Sequence, residues 1–256
     1  MSAPPPRQRV REAFERAAAS YDGAAVLQRQ VCDHLLADFD PSPEPNSILD
    51  AGCGTGYGAR LLRSRWPGAH LTAVDFAPAM LALARGDADV CLAADIEALP
   101  CRDASFAAWW SSLTVQWCDA EKVFGEARRV LRPGGRLALS TLGPDTFHEL
   151  REAFTGIDRY RHTLSFSEPP AIGRALAQAG FADIRLHRQT LSLHYPDLKS
   201  LLRAVKDIGA NSVGEGARAG LFGRSAWQQV QAAYERHRTP AGLPARYDVI
   251  LAYARK

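Results

Sequence analysis

The stretch Ser47-Ile48-Leu49-Asp50-Ala51-Gly52-Cys53-Gly54-Thr55-Gly56 constrains the fold more than any other part of the chain. Ile48 and Leu49 belong to a short apolar run suited to a strand buried on both faces, and glycines then follow at alternate positions. The segment reads as strand, tight turn and helix start near Tyr57. Without Cβ atoms the turn lets a ligand lie against the main chain, at the amino end of that helix. A dinucleotide fingerprint requires Gly-x-Gly-x-x-Gly beside a pyrophosphate. Here the spacing is Gly-x-Gly-x-Gly, with Asp50 two residues ahead of the first glycine. A carboxylate there repels a pyrophosphate and suits a cationic ligand, which argues against a nicotinamide oxidoreductase. A plain glycine turn in some other α/β protein is the bland alternative.

The pattern then repeats. Residues 57–65 read as a helix closed by Pro67-Gly68, and residues 70–74 as a second strand ending in Asp75, nineteen residues beyond Gly56. An acidic residue at that point is placed to accept hydrogen bonds from both hydroxyls of a ribose. Its alternative role is to cap a helix over 78–85. A third strand is expected over 90–94, ending in Asp95 and Ile96, where an Asp opening a surface loop is the plain alternative. Residues 106–112 give a fourth strand, which leaves the sheet through 113–117. A helix over 119–131 stops at Arg132-Pro133-Gly134-Gly135, and 136–142 is strand five. Ligands of open parallel sheets bind outside the carboxyl ends of the strands, so these acidic and glycine-rich ends line one crevice. Five such units with short connections argue for a doubly wound α/β sheet and against an eight-unit barrel.

Beyond 142 the rhythm loosens. The sequence predicts helices over 145–154, 167–180 (capped at Ser167), 198–208 and 225–237, with strands over 181–193 and 247–254. Between them lie a polar stretch, 156–166, holding Arg159, Tyr160, Arg161 and His162, and a glycine- and serine-rich loop, 209–223. About fifty residues joining the last two strands amount to an insertion. At the other end, residues 1–7 are proline-rich and expected to fray, and 8–39 form two amphipathic helices broken near Tyr21-Asp22-Gly23. Tyr21 and Gln28 could cover a ligand or simply pack those helices together. The chain thus divides into a helical lead-in or lid, 1–45, and a main domain, 46–256, with helical insertions around 145–166 and 197–240.

Charge and cysteine content exclude several classes. A net charge of +3 carries no nucleic-acid signature. Residues 1–140 hold 15 Lys and Arg against 17 Asp and Glu, so the basic excess lies in the second half, as an ordinary solvated face or a dock for an acidic partner. No apolar run reaches the roughly 18–20 residues that span a bilayer, and the first residues have no signal-peptide core, so no membrane role is expected and the default setting is cytoplasmic. Five scattered cysteines without a Cys-x-x-Cys pair read as reduced thiols, with no disulfide frame and no metal site.

The Asp-x-Gly-x-Gly-x-Gly turn, Asp75, Asp95 and the Arg-Pro-Gly-Gly break together resemble the class I S-adenosylmethionine-dependent methyltransferases over roughly residues 46–142. The resemblance implies a seven-stranded, mostly parallel Rossmann-like sheet with helical lid insertions, and S-adenosylmethionine as cofactor. It assigns Asp50 to the ammonium end of the cofactor's methionine, Asp95 to the adenine amino group and Ile96 to the adenine face. Gly52, Gly54, Gly56, Asp75, Phe76 and Ser112 complete the expected cofactor site.

Longer phrases are narrower. Phe14-Glu15-Arg16-Ala17-Ala18-Ala19-Ser20-Tyr21, Leu113-Thr114-Val115-Gln116-Trp117-Cys118 and Leu202-Arg203-Ala204-Val205-Lys206-Asp207-Ile208-Gly209-Ala210, with residues 94–100 and 140–147, look like the BioC family, the malonyl-acyl-carrier-protein O-methyltransferases of biotin synthesis. Val205 ahead of Lys206 and the stretch near His162 depart from the family pattern, on the substrate side only. The resemblance implies esterification of the free carboxylate of a malonyl thioester, carried on acyl-carrier protein or on coenzyme A. Such a carboxylate is already ionised at pH 7, so no general base is required, and catalysis consists of holding oxygen and methyl in line at about 3–3.5 Å in a site drained of water. Arg203 and Lys206, three apart on one helix, are candidates to clamp the carboxylate unless they form a solvated face, and Tyr21, Gln116 and Trp117 are candidates to close the chamber. The carrier protein is acidic in that family, which makes Arg159, Arg161, Arg185, Arg188 and Lys199 candidate docking residues. A methyltransferase acting on another small molecule, such as a quinone precursor, and a non-catalytic S-adenosylmethionine-binding module are the competing readings.

Overall fold

The computed structural model describes residues 6–157, 160, 162–210 and 223–256. Seven strands form one sheet, β1 Ser47–Ala51, β2 His70–Asp75, β3 Val90–Ala93, β4 Phe106–Ser112, β5 Leu131–Leu142, β6 Ala182–Tyr195 and β7 Leu243–Arg255. Their spatial order is β3-β2-β1-β4-β5-β7-β6. The first five strands run parallel, whereas β7 lies antiparallel between β5 and β6. This is the doubly wound, mostly parallel sheet the sequence predicts.

Alternation along each strand assigns its two faces to separate cores. Ile48, Ala108, Trp110, Ala138, Val249 and Leu251 point to one side, where they meet α2 (Val26–Ala37) and α3 (Tyr57–Arg65). Leu49, Trp109, Leu137, Leu139, Ile250 and Ala252 point to the other, against α5 (Ala120–Val130) and α7 (Pro169–Gln178). The remaining helices are α1 Arg7–Ala24, α4 Pro78–Leu83, α6 His148–Phe154, α8 Leu198–Asp207 and α9 Arg224–Glu235. None among the described residues is long and apolar enough to cross a membrane.

Register decides where a site can form. Ala51 lies beside Val74, Asp75 beside Ala93, and Ser112 beside Ser140, so strands β1 to β5 finish along one rim.

Four local expectations change for identifiable reasons. Helix α1 starts at Arg7, inside the stretch expected to fray, and continues through Gly23 to Ala24, because Arg7 and Asp22 both bond to the rim. Helix α6 starts at His148 and not at 145, because Gly143 N and Asp145 N donate to the Asp248 backbone and carboxylate, and Phe147 takes φ 57°. Helix α7 has Glu168 at its N-cap position with no side-chain bond: Pro169 and Pro170 carry no N–H for Ser167 to cap. The Arg132–Gly135 breaker lies within β5 as an irregularity, where pairing jumps from Phe106–Leu131 to Ala108–Arg136. Arg159, Arg161 and most of the 209–223 loop lie outside the described residues.

Candidate functional site

All three glycines of the turn have positive φ, at 79°, 55° and 89° for Gly52, Gly54 and Gly56, but they serve different neighbours. A Cβ on Gly52 would sit 2.3 Å from Thr114 Oγ1, and one on Gly56 would sit 2.6 Å from Asp87 Oδ2 and 3.0 Å from the Ala84 backbone. Those two glycines let protein segments approach each other. Of the three, only Gly54 has open space where its Cβ would be, so its backbone is uncovered on that side. Gly58, unmarked in the sequence, matters as well: a Cβ there would come within 3.1 Å of both Asp50 Oδ2 and Trp110 Nε1.

Asp50 is the most unusual group of the rim. It is 2% exposed, its Oδ2 has no hydrogen-bond partner, and Trp110 Nε1 is an equally buried, unpartnered donor nearby. Burial, with the Asp75 charge adding to it, pushes the Asp50 carboxyl up to about 7. A pocket of about 480 Å³, open solvent included, is lined by Tyr21, Gln28, Asp50, Gly52, Gly54, Trp110 and Ser112 among others. An unpaired buried acceptor beside an unpaired buried donor suits the ammonium and carboxylate of an amino-acid tail.

Asp75 does not cap α4, whose N-cap is Ala77. Its Oδ2 accepts from Gly54 N at 2.9 Å and its Oδ1 from Ala77 N at 2.8 Å, so it ties the glycine turn to the β2–α4 loop and keeps further acceptor capacity toward the cleft. Burial raises its pKa to about 6, against those backbone bonds. A cleft of about 560 Å³ is lined by Gly52, Gly54, Asp75, Phe76, Ile96, Ser112 and Trp117. Asp95 stands at its outer end, accepting from Glu97 N at 2.9 Å and from Arg7. Gly56 lines neither cavity, whereas the other expected cofactor residues face one or stand at its edge.

A larger cavity, about 1,250 Å³, adjoins both. Its walls are mostly apolar (Leu27, Leu142, Phe147, Leu150, Phe166, Leu202), and Lys206 is the only Lys or Arg among the described residues lining it. Arg203, one turn earlier on α8, does not line it. Gln116 is held in place, with its Nε2 donating to Leu113 O at 2.6 Å and its Oε1 accepting from Thr141 Oγ1 at 3.2 Å. Trp117 packs edge-on against Phe14 with ring centroids 5.6 Å apart. Tyr21 lines all three cavities and so stands between them. Burial raises the pKa of its phenol, with Cys32, Asp75 and Asp22 adding to the effect, so Tyr21 stays a neutral donor.

Over nearly its whole length the chain resembles proteins of one kind. It is 51% identical over 253 residues to a malonyl-[acyl-carrier protein] O-methyltransferase from Dechloromonas aromatica, covering 98% of this chain and 95% of that one. The chain belongs to the malonyl-acyl-carrier-protein O-methyltransferase family. Residues 49–139 match the family described as "Methyltransferase domain". A biotin biosynthesis bifunctional protein BioHC from Cellvibrio japonicus is 39% identical over 249 residues, 95% of this chain and 49% of that one. Among solved structures, phosphoethanolamine N-methyltransferase 2 of Haemonchus contortus, with S-adenosyl-L-methionine bound, shares the fold with a TM-score of 0.58 at 18% identity, covering 94% of this chain and 57% of that one.

For this member of the BioC family, sequence reasoning missed Arg7, Phe14, Gly58 and Thr114. Phe14 and Thr114 stand in the family-like phrases, whereas Arg7 and Gly58 carried no signal. Of the basic docking candidates, Arg188 is already committed: its Nε and Nη2 reach the buried Asp248 carboxylate at 2.7 and 2.8 Å, and Nη2 reaches Asp145 at 2.6 Å. Arg185 lies over the Tyr253 ring at 5.3 Å, and Lys199 is exposed on α8.

Proposed function

We propose that this chain transfers a methyl group from S-adenosylmethionine to the free carboxylate of a malonyl thioester on acyl-carrier protein, giving the methyl ester that enters biotin synthesis. The observation that carries the reading is the junction at Tyr21. There a cleft with an unpaired buried carboxylate opens onto an apolar chamber whose one described Lys or Arg is Lys206. Bound S-adenosylmethionine would supply an electrophilic sulfonium methyl. Asp50 would pair with the ammonium end, Gly54 would lie against the methionine backbone, and Asp75 would accept from the ribose hydroxyls. Phe76, Ile96 and Asp95 would hold the adenine, and Ser112 the floor beneath.

The chain's own task is positioning. A malonyl carboxylate needs no base at pH 7, so Lys206 orients it, and Tyr21, Gln116 and Trp117 keep water out and aim one oxygen at the methyl. A single lysine leaves the reacting oxygen less encumbered than a bidentate arginine would. In this reading the described residues of the lead-in, 6–45, are the lid, and those of the insertions, 162–166 and 202–210 among them, roof the chamber. Arg185 and Lys199 remain candidates to meet the acidic carrier, and five free thiols support a cytoplasmic setting.

The test is methylation of malonyl-acyl-carrier protein with mass detection of the ester, run beside malonyl-coenzyme A and a panel of hydroxylated aromatics. A 14 Da gain confined to the malonyl substrates is expected. Turnover of an aromatic alone would move the chain to another substrate, and cofactor binding without any turnover would make it a binding module.

A further inference from the structure

The chain leaves β4 through a residue poorly suited to the turn it makes. Leu113 follows the last residue of that strand and has φ 50°, in the left-handed region that a bulky side chain adopts only at a cost. Hydrogen bonds hold it there. Its N–H donates to Ser140 O at 3.1 Å and to Ser140 Oγ at 3.0 Å, and its carbonyl accepts from Gln116 Nε2 at 2.6 Å. Ser140 Oγ also meets Ser112 Oγ at 2.9 Å, and Gln116 Oε1 accepts from Thr141 Oγ1, so β5 secures the turn on both sides. Glycine would make the same turn without strain. A leucine held in it points to a use for the side chain.

Its surroundings supply that use. Among the described residues, four line both the cofactor cleft and the apolar chamber: Phe14, Tyr21, Leu113 and Trp117. Phe14 and Tyr21 belong to α1, the lid, and Trp117 packs on Phe14. Leu113 is the one of the four whose backbone is bonded to the sheet, and its side chain packs with the apolar cluster that includes Leu150 and Tyr247. On the reading that the cleft holds S-adenosylmethionine and the chamber the carboxylate, we propose that Leu113 is a specificity-determining residue, the fixed wall between the two whose volume limits the transferred group to a single carbon. In the transfer a lone pair of the carboxylate oxygen forms the new O–C bond while the C–S bond breaks and its electron pair stays on sulfur; no proton moves. A wall anchored to the sheet beside that path admits methyl and rejects a longer chain, and a misplaced methylene in an apolar site costs about 10–200-fold.

The test compares kcat/KM for malonyl-acyl-carrier protein with S-adenosylmethionine and with its S-ethyl analogue, in wild type, Leu113→Ala, Leu113→Gly and Leu113→Met. The lower intrinsic reactivity of ethyl cancels when the ethyl-to-methyl ratio is compared between proteins. That ratio should rise about tenfold in Leu113→Ala and Leu113→Gly, which remove the wall, and stay within about twofold in Leu113→Met, which keeps its volume. Leu113→Gly also relieves the positive φ, so it should melt no lower than Leu113→Ala and keeps the test open if the alanine variant folds badly. S-adenosylhomocysteine carries no alkyl group to meet the wall, so its Kd by calorimetry should stay within about threefold in every variant. A ratio within about threefold of wild type in both small variants, an equal rise in Leu113→Met, or a Kd weakened in step with the rate overturns the proposal, while methyl transfer by the wild type leaves the underlying reading in place. Failure of the wild type to methylate the malonyl substrate overturns both.

Discussion

Replacing Asp50 by Asn should make the ligand-free protein more stable and nearly abolish its hold on the cofactor. Asp50 ionises near pH 3.8 when unfolded and near 7 when folded, because burial and Asp75 both oppose its charge. The folded state therefore binds more protons than the unfolded state between those values, and stability falls as pH rises through that window. The penalty is absent below pH 4 and complete above 7, where at 1.36 kcal/mol per tenfold it reaches about 4 kcal/mol. Asn removes the charge but buries an unpaired amide at about 1–3 kcal/mol, for a net gain of about 1–3 kcal/mol at pH 8. In a domain of this size that is a rise of about 2–12 °C in Tm. At pH 5 the wild-type penalty is only about 1–2 kcal/mol, so the advantage should vanish. Scanning calorimetry of the ligand-free protein at both pH values reads this directly. The same substitution should weaken S-adenosylhomocysteine binding by about a hundredfold at pH 8, since one partner of a buried ion pair is lost. A variant that melts below wild type at pH 8, a Tm gap that ignores pH, or an affinity within threefold of wild type would each refute the ionic role given to Asp50.

Gly54→Ala should fold, with Tm lower by about 2–4 °C from the strain of a positive φ, yet lose S-adenosylhomocysteine binding measured by calorimetry, because its Cβ projects into the space kept for the ligand. Lys206→Ala should raise the KM for malonyl-acyl-carrier protein about tenfold and leave the Kd for S-adenosylhomocysteine within twofold, whereas Arg203→Ala should change neither; equal losses of both constants in Lys206→Ala would reject the clamp. Arg188→Ala strips the buried Asp248 carboxylate of its cation and should cost about 2 kcal/mol, discounted for a guanidinium 43% exposed, or about 4–8 °C in Tm, with activity at 25 °C retained.

The rim of acidic strand ends was legible because each part of it is local. A strand's last residues, the turn and the next helix start are neighbours in sequence, so Asp50, Asp75 and Asp95 follow from spacing, and the sheet brings them to one edge by register alone. The roles of individual glycines were not legible. Gly52 and Gly56 answer to Thr114 and Asp87, residues whose approach depends on how whole segments pack. The chamber is less legible still, since its walls come from 14–28, 113–117, 142–150, 162–166, 202–210 and Tyr247, which meet only in three dimensions. The pairing of Arg7 with Asp95 spans 88 residues and leaves no periodic trace, and the three prolines before Arg7 pointed the other way.

One helix, α1, touches every compartment of the site. Phe14 and Tyr21 border the chamber, Arg7 holds the rim, Asp22 accepts from Thr55 Oγ1 at 2.5 Å on the glycine turn, and Ser20 donates to Asp207 O at 2.8 Å on α8. The break at Ala25 is the point about which such an arm could swing. On the proposed reading, a roof shared in this way ties the exit of the spent nucleoside to that of the new ester.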